Sequence, residues 1–185
     1  MLSKETKQLC RLFAETLDYP DNSSTVSTAN CAQQLEQLIP GTAGPVRSFA
    51  GFIAKQSLEE WQELYAETFD ITPASTLYVG YHLFGDTPKR SIFLIKLREA
   101  YQTCSFSGGA ELADHLGVVL RFISVAEDPE FVSPLVEECL LPVLAQIEKE
   151  LKKTDNQYAL VIGPLQDFLQ HVSRQLMKTG GVSNA

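Results

Sequence analysis

Residues 76–90 read TLYVGYHLFGDTPKR, and residues 111–122 read ELADHLGVVLRF. The first stretch gathers Tyr78, Tyr81, His82, Asp86 and Arg90; the second sets Asp114 beside His115. Imidazole and carboxylate together can hold a metal, move a proton, or grip another chain through hydrogen bonds and charge. Spacing decides among these. His82, His115 and His171 form no His-Glu-x-x-His, and none has another His or Cys three to five residues away. No motif therefore supplies a metal site. Gly108-Gly109 lacks the Lys-Ser/Thr that completes a phosphate-binding loop, and there is neither a G-x-G-x-x-G nor a G-x-S-x-G. No motif here argues for an enzyme or a cofactor, and both a plainly packed helix end and a contact surface for another chain fit these residues.

At helical spacing Leu77, Tyr81 and Phe84 would share one face, with Tyr78 and His82 on the next. Gly85-Asp86 reads as the turn that ends this helix. Asp114-His115 reads as the entrance to a second helix, where a carboxylate favours the positive end. Gly117 costs about 1 kcal/mol against alanine inside a helix, so its presence predicts the close approach of another backbone.

The elements that must position these residues are set by period and punctuation. Leu9, Leu12, Phe13 and Leu17 form one helical stripe, and Cys31, Leu35, Leu38 and Ile39 a second that stops at Pro40-Gly41. Pro45 opens a third helix. Ser57 and Glu60 form a capping box ahead of Trp61, Leu64, Tyr65 and Phe69, and Asp70-Ile-Thr-Pro73 breaks that helix. Pro88 opens a helix that should bury Ile92, Ile95, Leu97 and Tyr101. Leu112, Leu116, Val119, Leu120 and Ile123 form a strong stripe. Asp128 caps a segment kinked at Pro134 and Pro142. The last helix carries Leu160 to Leu176 and stops before Gly180-Gly181. Residues 19–28, YPDNSSTVST, read as a flexible polar loop, and 180–185 as a frayed tail. No strand alternation appears. The fold expected is all-α, one domain over 1–185, a bundle of roughly eight to ten helices.

The chain has 185 residues, 44% hydrophobic and 21% charged, with a formal net charge of −8. That balance disfavours nucleic acid or an anionic membrane, which need clustered Lys and Arg. It suits a basic partner. Cys10, Cys31, Cys104 and Cys139 lie far apart in helical pattern, which predicts buried free thiols and a reducing compartment. The N-terminus carries charges throughout and does not read as a signal peptide. Leu116–Ala126, the longest apolar stretch, is interrupted by Arg121 and is short of the roughly 20 residues that span a bilayer. A cytoplasmic location without stable membrane insertion is expected.

Three segments in order carry a family resemblance: Tyr65-Ala-Glu-Thr68-Phe69-Asp70, Tyr81-His82-Leu-Phe-Gly85-Asp86 followed by Arg90, and Asp114-His115-Leu116-Gly117-Val118-Val119-Leu120. Together they resemble the NarJ branch of the TorD/DmsD family, the assembly chaperones of molybdenum oxidoreductases. The likeness covers residues 58–126 and the helical character of the whole. Gly117 departs from the branch, which usually has proline there.

The resemblance implies an all-helical, non-catalytic, cytoplasmic chaperone. Its partner would be the apo catalytic subunit of a molybdenum oxidoreductase of nitrate reductase type. It would bind that subunit's N-terminal segment, a twin-arginine signal or its remnant, and hold it for molybdenum cofactor insertion. A monomer is expected, with a dimer left open. Tyr81, His82, Gly85, Asp86, Arg90, Asp114 and His115 are the peptide-binding candidates. A cationic, apolar tail wants carboxylates beside an apolar groove. Asp86, Glu111 and Asp114 are the expected charges, and Tyr78, Tyr81, Leu83, Phe84 and Leu116 the expected groove. Asp86 and Asp114 would serve as charge partners or as orienters, Gly85 would place Asp86, and Arg90 would pair with one aspartate. Two rivals stand beside this reading: a helical adaptor for a folded protein, and a small nucleotide-binding or hydrolytic protein using Asp114-His115.

Overall fold

The computed structural model describes residues 1–180, with side chains to Met177. Within them all regular structure is helical, with a single isolated bridge between Tyr78 and His115 as the only β pairing. The helices are α1 (Lys4–Thr16), α2 (Ser24–Leu38), α3 (Gly44–Ile53), α4 (Leu58–Tyr65), α5 (Val79–Phe84), α6 (Pro88–Thr103), α7 (Leu116–Ile123), α8 (Pro129–Pro134), α9 (Leu141–Lys153) and α10 (Ala159–Gly180). Helix α10 includes Gly180, one residue past the expected stop, and the rest of the expected tail 180–185 lies outside the described residues.

The starts are set by side chains. Ser3 accepts from the Thr6 amide at α1. Ser57 and Glu60 make the reciprocal capping box at α4, and Asp128 accepts from the Glu130 amide at α8. The polar run 19–28 is a loop only to Ser23, because α2 begins at Ser24. Asp21 Oδ1 accepts from the Ser23 amide and from both serine hydroxyls, which fixes the turn that launches the helix. Thr28 is fully buried, its hydroxyl donated to Ser24 O.

The core forms where α1 packs on α2 and α7, and α10 on α9 and α3. Tyr158, without exposed surface, sits amid Phe49, Tyr65 and Phe69, and its hydroxyl accepts from the Trp61 indole at 2.8 Å. Two helical runs are interrupted by π-helix, at Ala66–Asp70 and at Leu135–Leu140. The second lies between Pro134 and Pro142, whose rings cannot continue regular α bonding.

Helix α6 departs from expectation. Leu97 and Tyr101 are buried, but Ile92 and Ile95 are more than half exposed. The helix lies at the edge of the bundle and packs chiefly on α5, so only its C-terminal half reaches the core. Of the cysteines, Cys10 and Cys31 are buried as expected, whereas Cys104 and Cys139 are only partly so. Among the described residues no helix is long and apolar enough to cross a membrane.

Candidate functional site

The site is built from the joint between α4 and α7. Beyond α4 the backbone widens into the π-turn Ala66–Asp70. Thr68 holds it: its hydroxyl donates to Leu64 O and accepts from Asn156 Nδ2, and its carbonyl accepts from the Ser75 hydroxyl. A π-turn admits an extra residue per turn and re-aims the residues after it. Here it delivers Phe69 to the core and leaves Asp70 exposed.

Leu77 and Tyr78, expected on a helix, lie before it, Leu77 in a bend and Tyr78 extended. The Val79 amide donates to Asp114 O at 2.9 Å, and the Leu116 amide to Leu77 O at 2.8 Å. These bonds bind 77–79 directly to 114–116. Helix α5 therefore begins only at Val79, and α7 only at Leu116, with Leu112 outside it. Pinned this way, Leu77 and Val79 are buried and Tyr78 between them is only partly so.

Gly85 ends α5 with φ 58° and ψ −154°, a region open almost only to glycine. Thr87 and Pro88 then open α6, whose first turn carries Arg90. Arg90 reaches back across the turn. Its Nε lies 2.9 Å from Asp114 Oδ2 and its Nη1 3.7 Å from Asp86 Oδ1. Its guanidinium lies 5.6 Å from the Tyr78 ring centre and 5.9 Å from that of Tyr81. Asp114 has no exposed surface, while the Asp86 side chain is 86% exposed. Asp114 is thus an orienter held by Arg90 rather than a charge facing solvent, and Leu116, 1% exposed, supports the region without lining it.

Gly80 makes this approach possible. A Cβ there would stand 2.6 Å from Asp114 Oδ2, 3.0 Å from Phe93 and 3.2 Å from Arg90 Cγ. Sequence reasoning passed it over because its backbone is ordinary helix and its reason is a neighbour from a distant segment.

The histidines have separate tasks. His82 Nε2 lies 2.7 Å from Thr76 O, so that nitrogen carries the proton. Burial pushes the His82 pKa down, and this hydrogen bond pulls it partly back. His115 caps α7 in an uncommon way: its Nδ1 accepts from the Gly117 amide at 3.2 Å. The proton therefore sits on Nε2, which faces Glu111 Oε2 at 3.8 Å. Burial lowers the His115 pKa too, opposed first by Glu111 and then by Asp18. Asp114 is committed to Arg90 and His115 to Gly117, so the two form no acid–base dyad. Gly117 meets side chains rather than the second backbone that was expected. A Cβ there would lie 3.2 Å from Arg121 Nη1 and 3.3 Å from His115 Nδ1.

Beside this joint opens a cleft of about 390 Å³. Tyr19, Tyr65, Phe69 and Tyr78 give it aromatic walls; Asp18, Asp70 and Glu111 give it carboxylates; His115, Thr76 and Leu77 complete it. The Tyr78 hydroxyl donates to Glu111 at 3.1 Å, and burial with that carboxylate raises its pKa to about 12. Asp18 is ion-paired with Arg121 of α7. A larger groove, about 720 Å³, lies between α6 and the α7–α8 corner and is lined by none of the candidate residues. Two of the three motif segments line the smaller cleft, through Tyr65, Phe69, Asp70 and His115, and the third stands behind it, with Arg90 bound to Asp114. Of the seven candidates only His115 lines it; Tyr81, His82, Gly85, Asp86, Arg90 and Asp114 form its supporting flank. Asp18 and Tyr19 were missed, since nothing in their neighbourhood of the sequence marks them. No group of three or more His, Cys, Asp or Glu among the described residues could hold a metal ion.

Fold and site together define an all-helical protein in which a buried ion pair locks two motif segments beside an acidic, aromatic cleft. Residues 35–159 match the nitrate reductase delta subunit family, and the chain belongs to that family. It is 30% identical over 130 residues, 70% of each chain, to the Bacillus subtilis (strain 168) protein named "Probable nitrate reductase molybdenum cofactor assembly chaperone NarJ". It is 27% identical over 101 residues to the Escherichia coli (strain K12) nitrate reductase molybdenum cofactor assembly chaperone NarJ, covering 54% of this chain and 42% of that one.

Proposed function

We propose that this chain is a system-specific assembly chaperone for a molybdenum oxidoreductase of nitrate reductase type. It binds the N-terminal segment of the apo catalytic subunit in the cytoplasm and keeps the subunit open to cofactor insertion. It catalyses no reaction and carries no cofactor of its own. The observation that supports this reading is one cleft, lined by two of the motif segments and backed by the third through the Arg90–Asp114 pair, which sets carboxylates among aromatic rings. A tail that is cationic at one end and apolar beyond it is the natural complement of such a surface. The two relatives bear the name of this activity.

The test is retention of the client. A tagged chain expressed in molybdate-starved cells should capture the apo catalytic subunit, and molybdate should release it. Equal capture of the mature enzyme would favour an adaptor for folded protein and overturn the proposal.

A further inference from the structure

The cleft already holds part of an answer to what it recognises. Asp18 stands at the end of α1, outside the matched family region, and is ion-paired with Arg121 Nη2. Arg121 arises from the last turn of α7 and runs back over the helix start, where its Nη1 passes the open side of Gly117. A side chain at 117 would crowd that guanidinium at 3.2 Å. The chain thus lays one of its own guanidinium groups against the wall of an aromatic, acidic cavity. Both partners remain about one-third exposed, 34% for Arg121 and 39% for Asp18, so the pair is open to exchange. Glu111 is occupied by Tyr78 and His115. Asp70 makes no hydrogen bond or ion pair through its side chain among the described residues. Tyr19, 54% exposed, stands edge-on to Tyr65 across the cavity.

We propose that the cleft binds a single arginine-type side chain of the client, and that Arg121 is the internal counter-ion this side chain displaces from Asp18. The incoming guanidinium takes the carboxylates of Asp18 and Asp70 and packs on the faces of Tyr19 and Tyr78. Arg121 swings outward into solvent, which its exposure permits. Affinity is then a difference between two guanidinium contacts, so the resident pair keeps the cleft closed to weak cations. Guanidinium suits this exchange better than ammonium because it is planar, stacks on rings and is more weakly hydrated. The inference rests on the reading of the cleft as a receptor for a client tail, and adds the side-chain class and the displaced group.

The test uses the full chain and Nα-acetyl-arginine amide as probe, with the uncharged Nα-acetyl-citrulline amide as control, titrated by heteronuclear NMR. Arg121→Gln should bind the arginine probe about two- to fivefold more tightly than the parent, the range an exposed ion pair supplies. Asp18→Asn should lose the shifts at Tyr19 and Tyr78. Arg98→Gln, which makes the same charge change on the exposed face of α6, should leave binding unchanged. Citrulline should not bind. Equal affinity of parent and Arg121→Gln, or equal binding of both probes, overturns the inference. A client N-terminal peptide, measured in parallel, separates the two levels. If it binds while Arg121→Gln changes nothing, the displacement is wrong and the chaperone reading stands. If the arginine probe behaves as stated and the client peptide does not bind, the cleft chemistry stands and the client reading falls.

Discussion

Arg90 Nε lies 2.9 Å from Asp114 Oδ2, and this one contact ties α6 to the segment that opens α7. Asp114 is fully buried and Arg90 is its cationic partner, so removing the cation strands a charge in the interior. Arg90→Met should destabilise the fold by about 3–5 kcal/mol. The pair Arg90→Met with Asp114→Leu should recover most of that loss. Urea denaturation of the three variants checks both statements. A full-sized loss in the double variant would mean that the contact is not what holds the joint.

Gly80 and Gly85 are required for different reasons, and alanine at each should show it. At Gly80 a Cβ collides with Asp114 Oδ2 at 2.6 Å, so Gly80→Ala should cost about 1–3 kcal/mol through overpacking. Asp114→Ala beneath it should relieve part of that cost. At Gly85 a Cβ meets nothing within 4 Å, and the whole cost is backbone conformation at φ 58° and ψ −154°. Gly85→Ala should cost about 1–3 kcal/mol whatever its neighbours are. Chemical denaturation separates the two, because only the Gly80 penalty responds to a change at 114.

Several helix starts and breaks were legible because each is written in adjacent residues. Ser57 with Glu60, Asp128 before Pro129, and Pro88 all acted as read. The errors come from contacts between segments. Tyr78 looked helical because its neighbours do, but the Val79–Asp114 and Leu116–Leu77 bonds draw it into extended backbone. Ile92 and Ile95 looked buried because they are apolar and in phase; the position of α6 at the bundle edge exposes them. The cleft itself needs Asp18 and Tyr19 from the end of α1, and no spacing rule links them to Glu111.

Both site histidines have pKa values lowered by burial, from an ordinary value of 6.5. Each binds its proton more readily in the unfolded chain than in the folded one. Their contribution to stability is therefore present above about pH 6.5 and is lost as pH falls through the folded-state values. The denaturation midpoint should fall between pH 7.5 and pH 5.5. In His82→Gln with His115→Gln the fall should be smaller. An equal slope in both proteins would contradict this.

The thiols should divide by burial. Cys10 and Cys31 are fully buried, and burial pushes each pKa up to about 12. Cys139 is raised as well, by burial and by Glu138. Only the thiolate reacts. Iodoacetamide at pH 7.5 should therefore modify Cys104 first and leave Cys10 and Cys31 intact until the protein unfolds. Peptide mapping by mass spectrometry reads the order, and early labelling of Cys10 or Cys31 would contradict it.

The proposed role of the cleft between α1, the π-turn and the start of α7 is to receive the cationic tail of an unfinished catalytic subunit. Isothermal titration of that subunit's N-terminal peptide tests this without intermediaries, using the parent chain and a variant carrying Asp18→Asn, Asp70→Asn and Glu111→Gln. Binding to the variant should be at least tenfold weaker, with helicity unchanged by circular dichroism. Equal affinity for the two proteins would mean that the acidic cleft is not the receptor.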